Sequence, residues 1–347
     1  MSPANKSILR AVSRSFYLSI RFLPTTLREP VALGYLLARS TDTVADTASV
    51  PVKTRIETLR KLSETIQGKT SGAVAGTGGP GVSRTSHPPA SSMPATTADD
   101  LVAAFAPLQT NPAERMLLQN LPGTLGWLDQ LSAADRADVR AVLEKITRGQ
   151  MLDLERFPDP SEIRALETAA DLDEYTYLVA GCVGEFWTRL CFRHLRGFAD
   201  LSEEKMFALG QAYGMGLQLI NVLRDAGNDL RAGRCYFPAH ELATAGVAPG
   251  QILRQPEKFQ PIYRHWIDKA ERNVCCGREY SCAIKNRRVR FATVLPALIG
   301  MRTIALLREA GPKALEQTIK IPRHEVRRMM FSLAVGLVSR NAIDPSG

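Results

Sequence analysis

Hydrophobic residues recur at three- and four-residue intervals through most of the chain, which is the spacing that places them on one face of an α-helix. The pattern predicts helices over residues 31–45, 131–155, 174–194, 203–229, 262–282 and 293–310. Alternating runs typical of strands are nearly absent, and Gly- and Pro-containing stop signals separate the helical segments. We therefore expect an all-α protein that forms a single domain over residues 1–347.

One segment, at about residues 67–97, departs from the helical pattern. It is rich in Gly, Ser, Thr, Pro and Ala and has almost no large apolar side chains. Such a segment cannot bury enough surface to offset the entropy lost on ordering it. Because the helical pattern resumes unchanged at Ala98, we expect a disordered insert within one domain, and the composition itself requires no function for it.

Composition and charge narrow the functional classes. Hydrophobic residues make up 45% of the 347 residues and charged residues 23%, which is ordinary for a globular protein. The net charge of +9 suits nucleic acid, an anionic membrane surface or a phosphorylated substrate. No zinc-finger or aromatic-basic strand signature supports nucleic acid. No signal peptide and no apolar run of about 20 residues is evident, so we expect a cytoplasmic protein with at most peripheral membrane contact.

The first candidate site is an Asp-x-x-x-Asp motif formed by Asp42 and Asp46. Residues four apart share one face of a helix, and two like charges there are unfavourable unless a cation lies between them. Mg²⁺ is usually held by one or two carboxylates together with substrate phosphates. Arg39, three residues earlier, can neutralise a phosphate. Chance alone gives about three acidic pairs at this spacing in such a chain, so a solvated helix surface explains this pair as well.

A second Asp-x-x-x-Asp motif lies in a largely apolar helix and strengthens the interpretation. Its polar residues recur at three- and four-residue steps: Gln218, Asn221, Asp225 and Asp229. Amides and carboxylates on a mostly buried helix are costly unless they bind something, and such a row of oxygen atoms suits a hard cation. Arg224, which flanks this row, and Arg234, just after the helix, would place cations near phosphates.

Four segments together resemble the successive signatures of the squalene and phytoene synthases. They are Ser13-Arg14-Ser15-Phe16, Arg39-x-x-Asp42-x-x-x-Asp46, Tyr175-x-Tyr177-Leu178-Val179-Ala180-Gly181-x-Val183-Gly184, and Gln218-x-x-Asn221-x-x-Arg224-Asp225-x-x-x-Asp229-x-x-x-x-Arg234. The resemblance covers residues 13–240 and implies an isoprenoid synthase fold, with helices around a central cavity and the two motifs facing across its mouth. Ala45 and Asn228 depart from the Glu that eukaryotic-type squalene synthases usually have there.

The resemblance also implies a reaction, the Mg²⁺-dependent head-to-head joining of two prenyl diphosphates through a cyclopropylcarbinyl diphosphate. It implies several Mg²⁺ ions held by Asp42, Asp46, Asn221, Asp225 and Asp229. It implies substrate binding by Ser13, Arg14, Phe16, Arg39, Gln218, Asn221, Arg224 and Arg234. Tyr175 would lie near the reacting carbons and assist proton removal. Apolar side chains would shield the cationic intermediate from water, including Phe16, Leu36, Val179, Val183, Leu217 and Ile220.

The product within this family depends on chain length and on reduction by NADPH. The segment Lys320-Ile321-Pro322-Arg323 is similar to one that helps to hold the NADPH phosphate in the squalene branch, so Lys320 and Arg323 are candidate cofactor residues, although a solvated basic turn fits equally well. No Gly-x-Gly-x-x-Gly motif points to a Rossmann site. We favour squalene from farnesyl diphosphate over phytoene, dehydrosqualene or hydroxysqualene. Because the motif residues are all present, a non-catalytic assembly factor is the less favoured alternative.

Overall fold

The computed structural model describes residues 3–69 and 97–336. The first seven helices are α1 (Pro3–Phe22), α2 (Thr25–Asp46), α3 (Val52–Gln67), α4 (Ala98–Phe105), α5 (Pro112–Gln119), α6 (Leu121–Leu128) and α7 (Ala133–Arg156). The next seven are α8 (Ala169–Thr176), α9 (Cys182–His194), α10 (Glu203–Arg231), α11 (Ala239–Thr244), α12 (Pro256–Ala283), α13 (Arg287–Ala310) and α14 (Arg323–Gly336). Short 3₁₀ turns cover Ala106–Leu108, Pro249–Gln251 and Gly311–Leu315.

The all-α prediction is confirmed, and the predicted helices other than 174–194 are present with ends shifted by up to six residues. The predicted helix 174–194 differs, because a π-helical turn at Tyr177–Gly181 separates α8 from α9. The sequence pattern also missed two short strands, β1 (Arg164–Leu166) and β2 (Arg234–Pro238), which pair in parallel. They are too short to show the alternation by which strands are recognised.

The chain folds into two compact units, of which unit 1 comprises Met1–Ser13 and Ala32–Leu154, and unit 2 comprises Arg14–Val31 and Glu155–Gly347. The expectation of one domain over the whole chain stays a prediction. The predicted insert at about 67–97 lies almost entirely outside the described residues, which stop at residue 69 and resume at residue 97.

Unit 1 is built on apolar faces of short and medium helices. Leu33, Leu36 and Leu37 of α2 are fully buried. The end of α3 is joined to α7 by two reciprocal hydrogen bonds. The Gln67 side-chain amide donates to the Arg140 carbonyl at 2.9 Å, and the Arg140 guanidinium donates to the Ile66 carbonyl at 2.8 Å. The bond to Ile66 satisfies a carbonyl in the last turn of α3, where carbonyls have no partner within the helix.

Unit 2 is organised around α10, which packs against α9, α12 and α13. Two buried phenols tie these helices together. The Tyr213 hydroxyl donates to the Thr293 carbonyl at 2.8 Å, and the Tyr263 hydroxyl donates to the Leu223 carbonyl at 2.9 Å. Buried polar groups need such partners, so these bonds let large aromatic side chains fill the core beside α10.

The segment Arg287–Leu315, which contains α13, is long and apolar enough to cross a membrane by length and composition. The expectation that no apolar run reaches about 20 residues is therefore wrong for this helix by average hydropathy, because isolated polar residues interrupt the run without lowering its average much. Its most apolar window is 61% buried inside the protein, and it packs against α10 and α12. A core helix of unit 2 accounts for this composition.

Candidate functional site

The first aspartate motif lies at the C-terminal end of α2 in unit 1. Arg39 forms an ion pair with Asp42 one turn away, and its second terminal nitrogen binds the Glu114 carboxylate at 2.5 Å. Glu114 belongs to α5, 75 residues further along the chain. No spacing pattern in the sequence points to it. The arginine is thus held between two carboxylates, with Asp46 exposed one turn beyond Asp42.

The electrostatic environment of this motif disfavours negative charge. Burial and, to a smaller extent, the neighbouring Asp46 carboxylate raise the pKa of Asp42 to about 7, even though Arg39 acts in the opposite direction. The Asp42 side chain nevertheless keeps 39% of its surface exposed, so solvent moderates this effect. A carboxylate in such surroundings gains stability from any added cation.

The other residues that the sequence analysis singled out in the N-terminal half lie in α1 and α2. The buried Ser13 hydroxyl donates to the Leu9 carbonyl in α1. Arg14 and Phe16 lie in α1, and their side chains fall outside the described part of the structure. Ala45, one of the departures from the family pattern, is buried, and its carbonyl accepts a hydrogen bond from Arg55.

The second motif forms a row of polar side chains along α10 in unit 2, here called the polar row: Gln218, Asn221, Asp225 and Asp229. The Asn221 amide donates to the Gln218 side-chain carbonyl at 3.2 Å. The Gln218 amide in turn reaches the Tyr175 hydroxyl at 3.5 Å, the long end of the hydrogen-bond range. Tyr175 therefore lies at one end of the row, with the two aspartates toward the other.

Both aspartates of the polar row are paired with guanidinium groups. Arg224 binds Asp225 through two hydrogen bonds of 3.1 and 2.6 Å. Arg234 binds Asp229 at 2.7 Å, and the Asp229 side chain is only 13% exposed. Arg234 opens β2 directly after Gly233, whose φ of 80° turns the chain at the end of α10. This turn requires glycine, since other residues rarely adopt such a φ.

An aromatic cluster supports Tyr175. Its ring stacks on Tyr236 with centroids 5.0 Å apart, and Tyr236 meets the edge of Phe157 at 5.2 Å. Tyr236 lies on β2, so the missed β1–β2 pairing is what brings it beneath Tyr175. The ion pair from Lys269 of α12 to Asp173, at 2.6 Å, anchors α8 two residues before Tyr175. Neither Tyr236 nor the ion pair between Lys269 and Asp173 was predicted from the sequence.

The candidate cofactor residues lie between the 3₁₀ turn at Gly311–Leu315 and the first residue of α14. Lys320 and Arg323 are both exposed. The nearby Glu325 is held by Arg302 through hydrogen bonds of 2.8 and 3.1 Å. Of the predicted apolar wall, Leu36 and Ile220 are buried, whereas Val183 is exposed.

Within each unit, predicted residues do come together. Unit 1 groups Arg39, Asp42 and Asp46 on α2. Unit 2 groups Tyr175, Gln218, Asn221, Arg224, Asp225, Asp229 and Arg234 along α10 and beside it. Among the described residues, no cluster of three or more His, Cys, Asp or Glu side chains forms a ready metal site. Each motif offers two carboxylates, so further ligands of a bound ion would have to come from elsewhere.

Known proteins similar to this chain include enzymes named phytoene synthase and enzymes named squalene synthase. A bifunctional lycopene cyclase/phytoene synthase of Pyrenophora tritici-repentis is 27% identical over 76% of this chain and 39% of its own length. The squalene synthase ERG9 of Saccharomyces cerevisiae is 25% identical over 86% of this chain and 60% of its own length. The matches thus span less than two thirds of these relatives.

A solved structure of TcSQS with a ligand superimposes with a TM-score of 0.71 at 23% identity, covering 95% of this chain and 85% of that one. At this identity the likeness establishes the fold, which is the all-α isoprenoid synthase fold. The sequence model of the family described as squalene/phytoene synthase matches residues 9–325. This chain therefore belongs to the squalene/phytoene synthase family, a family of prenyltransferase-type enzymes.

Proposed function

We propose that this protein joins two prenyl diphosphates head to head in a Mg²⁺-dependent reaction, with farnesyl diphosphate as substrate and squalene as product. The observation that carries the proposal is the polar row of α10, in which Asp225 and Asp229 lie beside Arg224 and Arg234, with Tyr175 hydrogen-bonded at the far end. Carboxylates for a cation, guanidinium groups for phosphate and an aromatic hydroxyl are the parts such a reaction needs. The family assignment supports the same conclusion.

The residues of both motifs fit Mg²⁺. Mg²⁺ is usually held by one or two carboxylates together with phosphate and water, and each motif offers two carboxylates. Asp42, Asp46, Asp225 and Asp229 would hold the ions. The Asn221 amide nitrogen already donates to Gln218, so its carbonyl oxygen would be the ligand atom. When bound, Mg²⁺ withdraws charge from the departing diphosphate as a Lewis acid.

Arginines would bind the diphosphate groups. In this structure Arg39, Arg224 and Arg234 each bind a carboxylate of the motifs. A guanidinium group presents the same forked donors to phosphate as to carboxylate, so each arginine can turn from its aspartate to a diphosphate oxygen. Ser13, Arg14 and Gln218 complete the proposed polar set. The Ser13 hydroxyl would have to leave the Leu9 carbonyl to take part.

The carbon chemistry follows from loss of diphosphate. The carbon–oxygen bond of the donor breaks and leaves an allylic cation, which the double bond of the second substrate attacks to form a cyclopropylcarbinyl diphosphate with loss of one proton. We assign the assistance of this proton removal to the Tyr175 hydroxyl. Its ring is fixed by Tyr236, and its hydroxyl is already within reach of one hydrogen-bond donor, Gln218. Apolar side chains such as Ile220 would exclude water from the cation.

The product proposal concerns the second half of the reaction. There the cyclopropylcarbinyl diphosphate ionises, rearranges and accepts hydride from NADPH to give squalene. The exposed cations Lys320 and Arg323 support a site for the NADPH phosphate. Phytoene, dehydrosqualene and hydroxysqualene remain the alternative products, since relatives named phytoene synthase match as well. A non-catalytic role is less favoured, because the four aspartates, Arg39, Asn221 and Tyr175 are all present.

We also propose that the protein is cytoplasmic with peripheral contact to the membrane. Phe331 on α14 is 72% exposed, the highest value among the exposed large hydrophobic side chains of the described residues. Arg327 and Arg328, one turn earlier, are also exposed. An apolar side chain among cations is the chemistry that an anionic lipid surface attracts.

Product analysis tests the proposed function. The protein is incubated with Mg²⁺ and either farnesyl or geranylgeranyl diphosphate, with and without NADPH. We expect squalene from farnesyl diphosphate only when NADPH is present. Phytoene from the C20 substrate and nothing from the C15 substrate would overturn the product proposal.

A substitution in the second motif tests the role of its aspartates. Asp225→Ala should abolish turnover while circular dichroism retains the helical signal, and Asp129→Ala, at a 73% exposed side chain, is the control. Near-normal turnover by Asp225→Ala would contradict the proposed role of the motif.

A further inference from the structure

The helix α8, which carries Tyr175, is too short to fix its own position. It has eight residues, and isolated helices of fewer than about 12 residues are marginal in water. It also carries the acidic side chains of Asp171, Asp173 and Glu174. Asp171 and Glu174 are three residues apart and share one face, where like charges are unfavourable. The position of α8, and with it that of Tyr175, therefore depends on contacts with neighbouring segments.

Two cations in unit 2 hold α8 from different sides. Arg156 binds the carboxylates of Asp171 and Glu174 at 2.9 and 2.8 Å, so it compensates the like charges on their shared face. Lys269 of α12 binds both carboxylate oxygens of Asp173 at 2.6 and 2.8 Å. Two residues along a helix correspond to a rotation of about 200°, so Asp173 lies on the side of α8 nearly opposite Tyr175. Lys269 thus holds the helix from behind the tyrosine.

Lys269 is itself fixed by the core of unit 2. Its ammonium group lies over the ring of Trp266, 4.7 Å from the centroid, where a cation is attracted by the aromatic face. Trp266 is 1% exposed, and its indole N–H donates to the Glu241 carboxylate of α11 at 2.9 Å. A side chain that is flexible by itself is thus held in one place by a buried ring that has a hydrogen-bond partner of its own.

We propose that Glu241, Trp266, Lys269 and Asp173, here called the α8 anchor, position the Tyr175 hydroxyl for proton removal. The inference rests on the reaction proposed above and adds residues that lie outside the polar row. They are positioning residues, because they act through Tyr175. The Tyr175 hydroxyl is 3.5 Å from the Gln218 amide, so a small movement of α8 breaks this contact. Misplacing a reacting group by about 1 Å can lower a rate about 100-fold.

The α8 anchor would affect the steps that follow loss of diphosphate. Forming the allylic cation depends on the aspartates and Mg²⁺, whereas completing the condensation requires a proton to leave, which Tyr175 assists. If the hydroxyl is displaced, diphosphate still departs but the condensation is completed more slowly. The allylic cation then adds water and loses a proton, which gives farnesol. Loss of the α8 anchor should therefore raise the amount of farnesol formed per condensation product, whereas a general loss of active protein lowers both together.

Turnover of farnesyl diphosphate by Lys269→Met, with Mg²⁺ and NADPH, tests the α8 anchor. Methionine keeps an apolar stem beside Trp266 and removes the ammonium group. We expect kcat for the condensation product to fall about tenfold, the KM for farnesyl diphosphate to stay within about twofold, and the ratio of farnesol to condensation product to rise about tenfold. Lys269→Arg keeps the cation and should restore these values to within about threefold. The matched control is Lys205→Met, because Lys205 and its partner Glu279 are both about half exposed.

A double substitution separates the α8 anchor from general damage. Asp173→Asn should reproduce the effect of Lys269→Met, and the two combined should be no worse than either alone, because both break the same ion pair. If Lys269→Met loses its helical circular dichroism signal, Asp173→Asn, at a 41% exposed side chain, provides the test.

Three outcomes would contradict the α8 anchor alone. They are an unchanged kcat and farnesol ratio in Lys269→Met and Asp173→Asn, additive losses in the double variant, and an equal loss in Lys205→Met. A wild-type protein that releases no diphosphate from farnesyl diphosphate overturns the proposed function, and the α8 anchor with it.

Discussion

Removing the charge of Asp42 should stabilise the metal-free protein at alkaline pH. Its pKa is raised from 3.8 to about 7, first by burial and then by Asp46. Between these two pH values the folded chain keeps a proton that the unfolded chain has lost. Stability therefore falls as pH rises through this window and stays low above it. Asp42→Asn removes the group that causes this loss, and Arg39 retains Glu114 as its partner.

The expected magnitude follows from the size of the pKa change. One pKa unit corresponds to about 1.4 kcal/mol, so the full pKa change would raise the free energy of unfolding of Asp42→Asn by about 4 kcal/mol at pH 8. Because the Asp42 side chain is 39% exposed, water and salt screen much of this, and we expect about 1–2 kcal/mol. For a chain of this size that is an increase in Tm of about 1–3 °C. At pH 5 the gain should be less than half as large.

Thermal unfolding followed by circular dichroism, with chelator present, measures the effect at pH 5 and pH 8. Asp46→Asn should give part of the gain, because it removes the charge next to Asp42. Asp129→Asn, on the 73% exposed side chain of the same unit, should change Tm by less than about 1 °C at both pH values. A lower Tm of Asp42→Asn at pH 8, or an equal gain at both pH values, would refute the electrostatic reasoning.

Two further predictions concern the aromatic support of Tyr175 and the membrane surface. Tyr236→Leu removes the ring stacked on Tyr175 and should lower the rate of product formation by about tenfold. Tyr236→Phe keeps the ring and should retain the wild-type rate. Equal rates in Tyr236→Leu and the wild-type protein would show that the stacking does not matter. Phe331→Ser should reduce co-sedimentation with vesicles containing anionic lipid several-fold, with little change in Tm because the side chain is 72% exposed. Undiminished sedimentation would remove Phe331 from the proposed membrane contact.

The local part of the candidate site was predictable from the sequence, because one helix carries it. Apolar periodicity placed a helix at 203–229, and the structure has α10 at Glu203–Arg231. Once that helix is assumed, the 3.6-residue repeat alone aligns Gln218, Asn221, Asp225 and Asp229. The break after it was also predictable, since Gly233 favours the positive φ that ends this segment.

The missed parts of the site depend on contacts between distant residues. Glu114 meets Arg39 across 75 positions, and no repeat in the sequence relates them. Tyr236 reaches Tyr175 only because β1 and β2 pair, and strands of three and five residues are too short to reveal themselves by alternation. The π-helical turn at Tyr177–Gly181 leaves the apolar pattern nearly unchanged. Such features follow from packing, which periodicity does not encode.

The two aspartate motifs, although alike in spacing, differ in how their charge is compensated. At Asp42 burial and Asp46 disfavour ionisation despite Arg39, so an incoming cation would relieve an unfavourable charge. At Asp225 and Asp229 the carboxylates already have guanidinium partners, so a cation gains less there by itself. It gains more if a diphosphate arrives with it, because each displaced guanidinium then binds phosphate and no charge is left unpaired. We therefore expect Mg²⁺ to bind the α10 motif together with diphosphate, and the α2 motif with less dependence on it.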